Sequence, residues 1–104
     1  MFDDNRLKVA NATLLILAGP AVGGDSRLGL VIAKKTIPTA VQRNRIKRAV
    51  RETFRQQEFD MPLDIVFLAR IGAKTQSSKQ LTESLRQAWV TLAKRSQPLR
   101  KEYA

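Results

Sequence analysis

Cysteine and histidine are both absent from the 104 residues, and acidic side chains number only nine. Without cysteine there is no disulfide framework, no thiolate nucleophile and no cysteine-ligated zinc. Without histidine the commonest general base and the commonest metal ligand are missing as well. The acids that remain, Asp25, Glu52, Asp60 and Glu83 among them, stand beside turns or on helix surfaces, with no spacing that sets two on one face. They read as caps and solubilising charges, so no catalytic side chain and no protein metal site is expected. Aromatic residues are scarce too, with four Phe, one Trp and one Tyr. The longest apolar run, Ala12–Ala18, falls far short of the roughly 20 residues that span a bilayer. Asp3 and Asp4 stand where a secretory signal would be basic. These absences exclude hydrolysis by the chain's own side chains, a disulfide-stapled scaffold and a membrane span. What is left is one soluble, cytoplasmic domain over residues 1–104, with 99–104 as a frayed tail.

Positive charge is abundant. Nineteen Lys and Arg give a formal charge of +10, which points to a polyanionic partner. The charge is also concentrated. Lys34, Lys35, Arg43, Arg45, Lys47, Arg48, Arg51 and Arg55 lie in one stretch of 22 residues with a single acid, Glu52, for a local net of +7. A surface built only for solubility would mix signs.

Two short apolar runs, Asn11–Ala18 and Arg27–Ala33, flank a Gly-rich turn at Ala21–Ser26, and the pattern predicts a β-hairpin. Gly23 and Gly24 offer that turn positive φ angles, and Gly29 inside the second run suggests a close backbone approach or a bulge. Pro38 breaks the chain, and Thr39 stands three residues before Gln42 in capping-box spacing, so a helix is expected from Ala40 to Gln57. Ile46, Ala49, Val50, Thr53 and Phe54 form its apolar stripe. At 100° per residue, Asn44, Arg48, Arg51 and Arg55 fall on the opposite face, flanked by Arg45 and Lys47. Asp64–Ala69 reads as a strand buried on both faces, and Ile71–Gln76 as a loop. A second amphipathic helix follows from Ser78 to Arg95, with Trp89 on its apolar stripe and Pro98 beyond it. The fold class is α+β: a small two-layer α/β sandwich in which the basic helix makes a strand–helix–strand crossover between parallel strands.

On residues alone, the basic helix offers rigidly spaced phosphate donors and does not distinguish RNA from DNA. An anionic membrane fits less well, because the helix's apolar stripe is taken up by the sheet. The stretch Arg27–Arg55, RLGLVIAKKTIPTAVQRNRIKRAVRETFR, closely resembles the signature of the protein component of bacterial ribonuclease P. That family carries a glycine-containing strand, a Lys-Lys pair, then Ala-Val-x-Arg-Asn-Arg-x-Lys-Arg-x-x-Arg on a helix. The matching residues are Gly29, Lys34, Lys35, Ala40, Val41, Arg43, Asn44, Arg45, Lys47, Arg48 and Arg51. Asp64–Arg70 resembles, more weakly, the family's following strand.

The resemblance implies the fold of a ribosomal-protein domain and the role of an RNA-binding subunit of an endoribonuclease. In that enzyme a catalytic RNA and its Mg²⁺ ions remove the 5′ leader of precursor tRNA. It implies that Lys34, Lys35, Arg43, Asn44, Arg45, Lys47, Arg48 and Arg51 face the RNA, and that Phe2 meets the leader. Arg70, at a strand end, either touches the leader or stands free in solvent. It further leads us to expect that the family's N-terminal helix is largely missing before Phe2, which would bare apolar surface and favour a homodimer. The alternative is a general structured-RNA-binding or ribosome-associated domain with no part in tRNA processing.

Overall fold

The computed structural model describes residues 7–21 and 23–103, with side chains to residue 98. The elements run β1 (Leu7–Ala10), β2 (Leu14–Pro20), β3 (Arg27–Val31), α1 (Ala40–Gln56), β4 (Leu63–Ala69), α2 (Gly72–Thr75) and α3 (Ser78–Tyr103). The four strands form one sheet in the order β1-β2-β4-β3. β2 is antiparallel to both β1 and β4, whereas β3 runs parallel to β4, the pair joined through α1. The α+β sandwich with a crossover through the basic helix is therefore present.

The expected hairpin of Asn11–Ala18 with Arg27–Ala33 is not formed, because β4 lies between the two strands. Burial explains the exchange. The first five residues of β4 are all buried, so this strand needs a neighbour on each edge. β3 has no buried residue and suits an edge. The turn after β2 accordingly spans the end of β4: the Ala21 amide donates to Pro62 O at 3.1 Å, and Ser26 Oγ accepts the Leu63 amide at 3.0 Å. No described glycine in it has a positive φ. The true hairpin is β1–β2, closed by Asn11, whose Oδ1 accepts the amides of Thr13 at 2.8 Å and Leu14 at 3.0 Å. In β1, Leu7 and Val9 are buried, and only these two inward residues mark the strand.

One face of the sheet packs on α1 and α3. Leu14, Ile16, Leu63 and Phe67 are fully buried there, against Ile46 and Val50 of α1 and Leu81, Leu85 and Leu92 of α3. Trp89 sits between the helices with its indole N–H donating to Thr53 Oγ1 at 2.8 Å, and the Thr53 hydroxyl donates to Ala49 O at 2.8 Å. Phe54 meets the indole edge-on, with ring centroids 5.4 Å apart. Both capping boxes are at the expected positions. At α3 Ser77 and Gln80 exchange both bonds, whereas at α1 only the Gln42 amide bonds Thr39 Oγ1.

Three further boundaries differ from expectation. The loop after β4 contains the single turn α2. Gly29 needs no special room, since a Cβ there would lie 3.9 Å from Ile65 O; the close approach is at Gly72, where a Cβ would lie 2.4 Å from Ala12 O. That glycine lets the backbone of α2 dock on the β1–β2 turn, with its amide 2.9 Å from Ala12 O. Finally, α3 does not stop at Arg95 but continues through Pro98 to Tyr103. Ser96 is fully buried, so packing holds the helix past Arg95. Pro98 forfeits one intrahelical bond, to the Lys94 carbonyl.

Arg27 and Asp64, register partners on β3 and β4, form a bidentate pair with both bonds at 2.8 Å. The Arg27 hydrogen bonds hold the Asp64 carboxyl below its ordinary value of 3.8, partly opposed by desolvation. A carboxyl with a lowered native pKa stabilises the fold above its unfolded pKa and loses that contribution as pH falls through the native value. Arg27→Ala is therefore expected to destabilise by a constant amount from about pH 5 to 8, with the difference from wild type shrinking below about pH 4. Urea unfolding at stepped pH measures it, and a difference that grows on acidification would refute the assignment.

Candidate nucleic-acid interface

Local structure sets the pose of the basic segment before α1 begins. After β3 the chain makes a tight turn in which Thr36 and Ile37 donate their amides to Ala33 O at 3.1 and 2.9 Å. Lys34 and Lys35 occupy the exposed crest of that turn, while Ile37 is fully buried and anchors its base. Arg43 then folds back, its Nη1 donating to the carbonyls of Ile37 at 2.9 Å and Pro38 at 2.7 Å. Arg45 reaches the other way, to Gln76 O at 2.9 Å, and so ties α1 to the start of α3. Both arginines are half-buried and bonded to the protein's own carbonyls.

Asn44, Arg48, Arg51 and Arg55 are exposed, as the 100° periodicity requires, and Lys47 is half-buried beside them. Among the described residues the one ion pair is Arg27–Asp64, so none of these cations is held in an ion pair there, and Glu52 is the single acid that shares the cleft with them. Between α1 and β3 lies an open cleft of about 570 Å³. Leu28 of β3 and Phe54 form its floor, and Lys47, Arg48, Arg51 and Arg55 its cationic wall. A second groove, of about 450 Å³, lies between α1 and α3. Four cations along one wall are the chemistry that suits a phosphate chain, whose neutralisation releases counterions. Arg55 completes this wall although it lies outside the residues matching the family signature; its position four residues after Arg51 is the signal for it. Leu28 and Phe54 carry no such signal, because the expected role of both was packing.

Arg70 is exposed and follows β4, with its amide on Thr13 O at 2.9 Å and Nη1 on Asn11 O at 3.1 Å. Because β3 and β4 are parallel, Arg70 shares one end of the sheet with Lys34 and Lys35. Phe2 lies outside the described residues. Trp89 and Phe54 of the helical apolar stripes and Phe67 of the buried strand pack in or against the core, as expected. The described residues contain no group of three or more His, Cys, Asp or Glu placed to hold a metal ion. No helix among them is long and apolar enough to cross a membrane.

Fold and surface together define an α+β domain that carries a cationic helix in a parallel crossover, the class of surface that nucleic-acid-binding proteins present. The comparisons with known proteins narrow that class. The family model described as Ribonuclease P matches residues 2–93. A ribonuclease P protein component from Marinomonas sp. is 44% identical over 97 residues, covering 92% of this chain and 74% of that protein. One from Marinobacter nauticus is 45% identical over 96 residues, covering 91% and 72%. Among solved structures, the RNase P protein of Staphylococcus aureus superposes with a TM-score of 0.73 at 32% identity, covering 82% of this chain and 79% of that one. That of Thermotoga maritima, in complex with 1-(4-fluorophenyl)-2-thiourea, gives 0.69 at 28% identity, covering 86% and 84%. The chain belongs to the ribonuclease P protein family. Its role is that of the protein subunit of a tRNA-processing endoribonuclease, in partnership with that enzyme's RNA subunit, in preference to a general structured-RNA-binding role.

Proposed function

We propose that the outward face of α1 is the surface with which this subunit grips RNA. Asn44, Lys47, Arg48, Arg51 and Arg55 are the direct contacts, and Lys34 and Lys35 extend the surface at the turn. The observation that carries the reading is the cleft between α1 and β3, whose wall is cationic and unpaired among the described residues. Arg43 and Arg45 fix the pose of the helix through bonds to Ile37, Pro38 and Gln76 carbonyls, and each retains further N–H donors for RNA. The leader of precursor tRNA passes the same end of the sheet, within reach of Arg70.

In this reading the Mg²⁺ of the reaction is held mainly by the RNA subunit. The protein contributes charge: it offsets phosphate repulsion where two RNAs meet and so lowers the Mg²⁺ needed for assembly. The compartment is the cytoplasm, where precursor tRNA is made.

Arg55→Gln gives the sharpest check on the cleft. Loss of one phosphate contact is expected to lower affinity for ribonuclease P RNA several-fold and to reduce the slope of log K against log salt by somewhat under one. The same variant is expected to stimulate precursor-tRNA cleavage less than wild type when added to the RNA subunit at low Mg²⁺. A slope identical to wild type would sink the cleft as a phosphate site.

A further inference from the structure

Asn44, Arg48 and Glu52, spaced by four residues, form a ridge along α1 with a groove on either side. The two grooves differ in chemistry. The one facing β3 is walled by cations. The one facing α3 has a floor of Ala49 and Leu81, and Val41 stands on its lip with 79% of its surface exposed. Asn44 and Thr82 present an amide and a hydroxyl to it, Arg48 adds the one cation not engaged by the protein, and Glu52 adds a carboxylate at the ridge. Arg45 is occupied, with Nη1 on Gln76 O at 2.9 Å and a longer 3.5 Å contact to Ser78 Oγ. Together these contacts tie α1 to the chain entering α3 at the groove's end, so the width of the groove is set before anything binds.

A phosphate chain gains nothing from an apolar floor and a valine lip. A nucleobase gains from both, because its faces are apolar and its edge is hydrogen-bonding, and a guanidinium stacks on it. A volume of about 450 Å³ lies within the usual range of small-ligand sites, about 300–1,000 Å³. We propose that the α1–α3 groove takes an unpaired nucleobase of the RNA, while the cleft across the ridge takes phosphates. The base rests on Ala49 and Val41 beneath the Arg48 guanidinium, with its edge toward Asn44 and Thr82. This assignment rests on the reading of α1 as the RNA-gripping helix and adds what that helix recognises.

The experiment compares penta-uridylate with an abasic oligomer of equal length and charge, each titrated onto the full chain at several salt concentrations. Wild type is expected to bind the base-bearing oligomer about tenfold more tightly. Val41→Ala with Thr82→Ala removes no charge; it is expected to bring that ratio close to one and leave the salt slope unchanged. Circular dichroism checks the fold of the double variant, and amide resonances of Val41, Ala49 and Thr82 in wild type are expected to move on adding uridine monophosphate. A ratio that survives in the folded double variant, or resonances that stay fixed, overturns the groove assignment. Steeply salt-dependent binding by wild type without any base preference also overturns it, yet leaves the phosphate reading of α1 standing. Binding that is weak and insensitive to salt removes both.

Discussion

A chain carrying Lys47→Gln, Arg48→Gln and Arg51→Gln together is expected to bind ribonuclease P RNA about a hundredfold more weakly near 0.15 M salt, with its salt slope reduced by about two to three. The magnitude follows from counterion release, since each lost phosphate contact removes somewhat under one unit of slope. Stability is expected to move the other way. Lys47 and Arg51 are four residues apart on one helix face, and Arg48 and Arg51 three apart, so each pair repels. Removing these repulsions costs no core packing, because Arg48 and Arg51 are exposed and Lys47 is half-buried. The thermal midpoint should therefore hold or rise while affinity collapses. Salt titration of RNA binding and a melting curve read the two effects separately. An unchanged slope would show that the RNA lies elsewhere.

Trp89→Ala is the substitution expected to damage the fold most, by about 3–5 kcal/mol. Trp89 has no exposed surface, and its ring fills the space between α1 and α3 beside Phe54. Deleting it opens a cavity and leaves the Thr53 hydroxyl without the indole donor. That loss is a large part of the roughly 5–15 kcal/mol that keeps a domain folded. Trp89→Phe keeps the ring but not the N–H and is expected to cost about 1–3 kcal/mol. Urea unfolding followed by circular dichroism ranks the three proteins, and a loss under about 1 kcal/mol for the alanine variant would contradict the packing described. RNA binding should weaken in step with unfolding, since α3 is the platform on which α1 rests.

The two long helices were legible in the sequence because each carries an apolar stripe at helical spacing with a capping box before it. The parallel pairing of β3 and β4 was legible from the crossover. The position of β4 between β2 and β3 was not, because a run such as DIVFLA shows that a strand is buried without showing which neighbours bury it. β1 escaped notice since two inward residues, Leu7 and Val9, make too short an alternation. In the interface, the outward set Asn44, Arg48, Arg51 and Arg55 followed from periodicity alone. The engagement of Arg43 and Arg45 did not, because their partners are backbone carbonyls, and a carbonyl such as that of Gln76 has no signature in the amino-acid string. Leu28 reaches the cleft floor through strand order, which local pattern does not encode.

The central place of β4 also orders events during synthesis. The β1–β2 hairpin pairs locally, whereas β3 has no strand to pair with until residues 63–69 follow. α1 emerges earlier still than α3, the helix that covers its apolar stripe. For that interval Ile46 and Val50 lack the helix that covers them in the folded protein. The core between α1 and α3 cannot be completed before Trp89 has been made, so translation pauses before residue 89 would lengthen the interval in which it is open.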